Sequence, residues 1–205
     1  MKDIKVVAFD CDGVLFDTEE SNWAYYNHLL EHFGRPTMTP EQFAYAHQHT
    51  LNESIAYLFE DEETITAVYD YRQTMDYSTY LKLLKVEPDL VPLLTRIRPK
   101  LKTAIATNRS DTMNRLLAEF ALTHYFDLVV TSVDIRRPKP YPDALFKILE
   151  HFRIAAHQVL YVGDSQVDAE AARAANIPFV AFRNEMLPTE YHIENLKALE
   201  EILEV

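Results

Sequence analysis

Apolar positions fall into two regimes along the chain. Residues 4–9, 101–107, 128–131, 158–162 and 179–182 are short runs rich in Val, Ile, Ala and Phe, too short for membrane spans and without a helical period. Runs of that kind read as buried strands. Between the first and the second, from about residue 18 to 85, the period becomes helical. Tyr26, Leu29, Leu30 and Phe33 share one helix face, which Gly34 and Pro36 end. Thr39-Pro40-Glu41-Gln42 has the form of a capping box with proline at the first helical position, so a second helix starts there. Further helical runs are predicted over about 52–59 and 62–84, with no strand among them. After Pro88 strands and helices alternate: Met113, Leu116, Leu117 and Phe120 mark one helix, for which Ser110 is the expected cap. Leu145, Ile148, Leu149 and Phe152 mark the next, and a last helix is expected around 193–203. The pattern is that of an α/β core interrupted by an all-helical insert.

Composition narrows what such a chain can do. Its 205 residues, 48% hydrophobic, suffice for a full core and a small accessory domain. A formal charge of -12 argues against a polyanion-binding surface, so no nucleic-acid partner is expected, although a single phosphate in a locally positive pocket is compatible with it. Cys11 is the only cysteine, which excludes an internal disulfide and any cysteine-built zinc site. Asp10 and Asp12 interrupt the only apolar segment near the start, so no signal peptide and no membrane association are expected, and the reading is cytoplasmic. Eight of the twelve tyrosines lie in the helical insert, where their helical spacing reads as packing rather than ligand contact.

Candidate chemistry collects where the strands end. The first run delivers Asp10-Cys11-Asp12-Gly13, whose alternation sends both carboxylates roughly one way and Cys11 the other. Two such carboxylates repel each other unless a cation lies beside them. The second ends in Thr107-Asn108-Arg109-Ser110, where hydroxyl, amide and backbone N–H groups meet a helix start, a ready anion site. After the third, Pro138, Pro140 and Pro142 confine the backbone around Lys139 and hold its ammonium in a defined place. The fourth runs into Gly163-Asp164-Ser165-Gln166-Val167-Asp168, with two acids four residues apart that are expected to share a helix face. In Ala174-Ala175-Asn176-Ile177-Pro178, Asn176 is expected to take the left-handed conformation that ends this helix.

These four motifs, in this order and at four successive strand ends, resemble the signature of the haloacid dehalogenase-like phosphohydrolases, and the resemblance covers the whole chain. It implies a three-layer Rossmann-like α/β core with a parallel five-stranded sheet of order 5-4-1-2-3. That core would span residues 1–16 and 88–205, with a small helical cap over 17–87, as in relatives of phosphoglycolate phosphatase and β-phosphoglucomutase. It further implies a Mg²⁺-dependent phosphatase acting on a small phosphate monoester, such as a sugar phosphate, a phosphoglycolate-like acid or a nucleotide. Asp10 would be the nucleophile that forms an aspartyl-phosphate and Asp12 the acid and base. Thr107 and Asn108 would bind phosphate oxygens, and Lys139 would offset the charge of nucleophile and phosphate. Asp10, the Asp12 carbonyl and Asp164 would hold the metal, with Asp168 supporting it from behind or as a further ligand.

Within the resemblance, branches can be ranked. A dehalogenase needs neither Asp12 nor a metal, and a phosphonate-cleaving relative uses a cap lysine, whereas no Lys stands between Glu19 and Glu60. A phosphomutase shares the core motifs and stays open, and a non-catalytic phosphate-binding domain is a more distant alternative. For specificity, His47 and His49 in the insert are candidate substrate contacts, and Arg109 is a candidate from the core. The expected oligomeric state is monomer or homodimer.

Overall fold

The computed structural model describes Met1 and residues 3–204. The chain opens with β1 (Val6–Phe9) and β2 (Phe16–Asp17), then passes through α1 (Glu19–His32), α2 (Pro40–Gln48), α3 (Leu51–Phe59), α4 (Glu62–Thr74) and α5 (Ser78–Leu81). It continues with β3 (Lys85–Val86), α6 (Leu90–Ile97), β4 (Lys102–Ala106), α7 (Met113–Glu119), β5 (Leu128–Val130) and α8 (Asp143–Phe152). The chain closes with β6 (Val159–Gly163), α9 (Gln166–Ala175), β7 (Phe179–Phe182), β8 (Tyr191–Ile193) and α10 (Leu199–Leu203). It divides into two compact units, one of Met1–Phe16 with Val86–Val205 and one of Asp17–Lys85. Among the described residues no helix is long and apolar enough to cross a membrane.

The larger unit is built on a six-stranded sheet of order β5-β4-β1-β6-β7-β8, parallel throughout. The five expected strands stand in the expected order, and the sheet gains a sixth at its edge. That strand, Tyr191–Ile193, overturns the start of the last predicted helix: Ile193 pairs with Phe182, and the helical turn begins only at Leu196. Both sheet faces are covered, which is why the strands read as continuous apolar runs. Val6, Ala8, Ala104, Ala106 and Tyr161 pack on one face with Leu145 and Ile148 of α8 and Ala171 and Ala172 of α9. Val7, Phe9, Ile105, Leu160 and Val162 alternate to the other face and are equally buried. Parallel strands place all their C-terminal ends on one edge, so the four candidate loops share that edge.

Two helix starts differ from expectation. Ser110 does not cap α7; its hydroxyl turns to Asp111 Oδ1 at 2.9 Å, and the helix begins at Met113 after Thr112. Asp164 lies outside α9, whose cap is Ser165, so Asp164 and Asp168 are not neighbours on one helix face. Asn176 does end that helix in the left-handed conformation, at φ 54°.

The smaller unit has its own core of Tyr25, Tyr26, Leu29, Leu30, Ile55, Phe59, Val68 and Tyr80. Tyr25 stands edge-on to Tyr26, Tyr77 and Tyr80 with ring centroids 5.2–5.8 Å apart, so these tyrosines do pack. The Thr39 capping box forms, with Gln42 reaching back to the Thr39 N–H at 2.9 Å. The helical run expected over 62–84 breaks after Thr74, where Met75 turns extended, and a short strand, β3, follows at Lys85.

Candidate active site

Asp10 is the first residue beyond β1, and its N–H donates to Val162 O at 2.9 Å, which ties it to the end of the neighbouring strand. The chain then turns sharply at Gly13, which has φ +81°. A Cβ there would stand 2.1 Å from Asp164 Oδ2, so only glycine lets the first loop approach the fourth this closely. Asp10, Asp164 and Asp168 each bring a carboxylate oxygen within 4.8 Å of the others.

Lys139 reaches into this cluster and is 2% exposed. Its Nζ lies 2.7 Å from Asp10 Oδ1 and 2.6 Å from Asp168 Oδ1, and it donates to the Tyr161 hydroxyl at 3.0 Å. The loop that carries it is held by Asn108, whose side chain accepts from the Lys139 N–H at 2.9 Å and donates to its carbonyl at 3.1 Å. The second loop thereby positions the third. Thr107 is buried, and its Oγ1 accepts from the Arg109 N–H at 3.1 Å.

Asp168 is fully buried and its carboxylate is engaged on both sides. Oδ1 accepts from Lys139 and, at 2.7 Å, from the Tyr161 hydroxyl, while Oδ2 accepts from the Ser165 N–H at 3.1 Å and from the Ser165 hydroxyl. The Tyr161 hydroxyl also lies 3.0 Å from Ala106 O, a second acceptor for its one proton. The consequence is that Asp168 fixes the lysine that faces Asp10. Among the described residues Asp10 Oδ1 has no partner other than the Lys139 ammonium.

Electrostatics follow from this packing. Burial raises the Asp10 carboxyl to about 7, with Asp168 and Asp12 adding to the effect and Lys139 opposing it. Burial, with Asp168 and Asp10 nearby, also holds Asp164 well above the usual carboxylate range. For Lys139 burial works against the charge, but Asp10 and Asp168 outweigh it and hold the ammonium above its ordinary value. Three carboxylates thus face one ammonium, an excess of negative charge that a divalent cation would balance. The donors are all oxygen, Asp10 Oδ1 meets only Lys139 among the described residues, and Gly13 keeps the approach to Asp164 open, so the residues fit a hard cation.

The model of the family described as haloacid dehalogenase-like hydrolase matches residues 7–182. The chain is a haloacid dehalogenase-like hydrolase. A phosphoglycolate phosphatase of Aliivibrio fischeri is 29% identical over 85% of the chain and 82% of its own length. A phosphorylated carbohydrates phosphatase of Thermotoga maritima is 27% identical over 85% and 82%. The crystal structure of a HAD-superfamily hydrolase, subfamily IA, variant 1, from Geobacter sulfurreducens superposes with a TM-score of 0.80, at 35% identity over 98% of this chain and 97% of that one. With such relatives this haloacid dehalogenase-like hydrolase is a phosphatase of its family.

Asp12 and Arg109 meet in a two-pronged ion pair, Nη2 to Oδ1 at 2.5 Å and Nε to Oδ2 at 3.2 Å, so Arg109 is turned to the hydrolase's own carboxylate. In the smaller unit, His49 stacks on Tyr45 at 3.8 Å, with its Nδ1 2.8 Å from Tyr45 O, and is committed to its own helix. His47 lies 3.1 Å from Asn22 and against the Phe43 ring. Phe43 and Trp23 line an open cleft of about 310 Å³ with Asp17, Glu19, Glu20 and Lys85. Tyr161, Ser165 and Asn184 were not anticipated. A tyrosine within an otherwise aliphatic buried strand needs a partner for its hydroxyl, and Ser165 stands three residues before an acid in the form of a capping box. Asn184, which donates to Asp164 O at 2.8 Å, carries no such local signal.

Proposed function

We propose that the protein is a Mg²⁺-dependent phosphatase that hydrolyses a small phosphate monoester through an aspartyl-phosphate on Asp10. The observation that carries this reading is the set of buried Asp10, half-buried Asp164 and buried Asp168 around the ammonium of Lys139, with Asp10 Oδ1 meeting no partner but Lys139 among the described residues. Asp10 attacks phosphorus in line, and Asp12 passes a proton to the leaving oxygen and later takes one from the hydrolytic water. Lys139, kept in place by Asp168, Tyr161 and Asn108, offsets the repulsion between Asp10 and the phosphate. Thr107 and the backbone at Asn108 hold the remaining phosphate oxygens. Asp10, Asp164 and the Asp12 carbonyl would hold Mg²⁺, which supplies positive charge to the phosphoryl oxygens. Asp168 acts on the site through Lys139, since its oxygens already accept from Lys139, Tyr161 and Ser165. In this reading the separate compact unit Asp17–Lys85 corresponds to the family's cap and would select the leaving group. The names of the relatives support an ester of a small acid or a sugar.

The test is phosphate release from a panel of esters with Mg²⁺ and with EDTA, for wild type and Asp10→Asn. Release that needs the cation and disappears in the variant is the expected outcome. Release that persists in Asp10→Asn, or in EDTA, would sink the mechanism.

A further inference from the structure

Arg109 follows the Thr107–Asn108 turn, and its guanidinium is spent on Asp12. Both Asp12 oxygens are taken, one by Nη2 at 2.5 Å and one by Nε at 3.2 Å, with the two side chains only 6% and 15% exposed. Such a fork matches any carboxylate or phosphoryl group equally well. The backbone under it is pinned: its N–H donates to Thr107 Oγ1 at 3.1 Å, and its carbonyl accepts from the Ser132 N–H at 3.1 Å. Nη1 donates to the Thr112 hydroxyl at 3.3 Å. A change of partner at Arg109 is therefore a change of side-chain rotamer alone.

Proton transfer by Asp12 needs one of its oxygens turned to the leaving oxygen of the ester, and in this structure the guanidinium covers both. A neutral leaving group offers the guanidinium nothing in exchange. One that carries a second anion offers the same two-oxygen acceptor as Asp12. We propose that Arg109 is a specificity-determining residue: a carboxylate or second phosphoryl group on the leaving side takes the guanidinium over from Asp12 and frees Asp12 for the leaving oxygen. The substrate class is then a phosphate monoester with a second anionic group a few bonds from the ester oxygen. This rests on the reading of Asp12 as the acid and base of a phosphatase.

Two esters that differ only in a carboxylate for a methyl group, 2-phosphoglycolate and ethyl phosphate, test it. Wild type is expected to prefer phosphoglycolate at least tenfold in kcat/KM. The ratio of the two values should fall at least tenfold in Arg109→Gln and by an intermediate factor in Arg109→Lys, which keeps the charge but not the fork. Should Arg109→Gln melt well below wild type, Arg109→Lys carries the comparison. A ratio unchanged in the folded variants, or no preference in wild type, overturns the proposal. Binding separates its failure from that of the phosphatase reading. By calorimetry on Asp10→Asn, phosphoglycolate should bind at least tenfold more tightly than ethyl phosphate, and Arg109→Gln in that background should erase the difference. Turnover of neither ester by wild type would leave the phosphatase reading to the wider ester panel, with calorimetry still deciding on Arg109. Equal affinities would remove the role of Arg109 whatever the turnover.

Discussion

Replacing Asp10 with Asn should abolish activity and, without a divalent cation, make the protein more stable. Burial raises the carboxyl from 3.8 to about 7, with Asp168 and Asp12 adding to the effect and Lys139 opposing it. A folded value above the unfolded one means that the native state binds the extra proton between these limits. Stability from this group is then complete below about pH 4 and is lost as the pH rises through 7. The difference corresponds to roughly 4 kcal/mol above pH 7, at about 1.4 kcal/mol per pH unit. Asn has the shape of the protonated acid and cannot ionise, so Asp10→Asn should gain about 2–4 kcal/mol at pH 8 in EDTA and nothing at pH 4. For a chain of this size that is an increase of about 4–16 °C in Tm at pH 8. Thermal melts of both proteins at pH 4, 6 and 8, with EDTA and with excess Mg²⁺, provide the measurement. The cation should raise the wild-type Tm at pH 8, by about 2.7 kcal/mol in stability at a hundredfold excess over Kd, and close most of the gap to the variant. A variant less stable than wild type at pH 8 in EDTA, or a difference of the same size at pH 4 and pH 8, would refute the reasoning.

Truncating Asp168 or Tyr161, which hold the buried lysine from behind, acts in the opposite direction. Asp168→Ala leaves the Lys139 ammonium short of its fully buried counter-charge and should cost about 3–5 kcal/mol, read from urea unfolding. Tyr161→Phe removes a hydroxyl that bonds Lys139, Asp168 and Ala106 O and should cost about 1–3 kcal/mol in the same assay; a cost under about 0.5 kcal/mol would mean that this network is not maintained in solution. Gly13→Ala places a Cβ 2.1 Å from Asp164 Oδ2 and should eliminate Mg²⁺ binding in calorimetry, so a variant that binds the cation as wild type does would contradict the proposed cation site.

Local signals made much of this protein legible. The apolar runs located β1, β4, β5, β6 and β7 to within two residues, because a strand covered on both faces has to be apolar along its length. The Thr39 capping box and the left-handed Asn176 followed from side chains that act on backbone within four residues. Asp10, Thr107 and Asp164 were visible because each stands directly after one of these strands, and Lys139 because Pro138 and Pro140 bracket it. β8 was missed because Tyr191–Ile193 is only three residues long, with both Tyr191 and His192 exposed, so it has no apolar run to read.

Which groups meet was decided by tertiary structure. Arg109 and Asp12 lie 97 residues apart in sequence, and Lys139 and Asp168 lie 29 apart, yet each pair is joined at 2.5–2.6 Å. These pairings depend on the strand order that puts β4 and β6 on either side of β1, which no local propensity encodes. For that reason the sequence by itself determined which chemical groups stand at the sheet edge. The packing of parallel strands against one another determined that Asp168 fixes a lysine and that Arg109 is turned to Asp12.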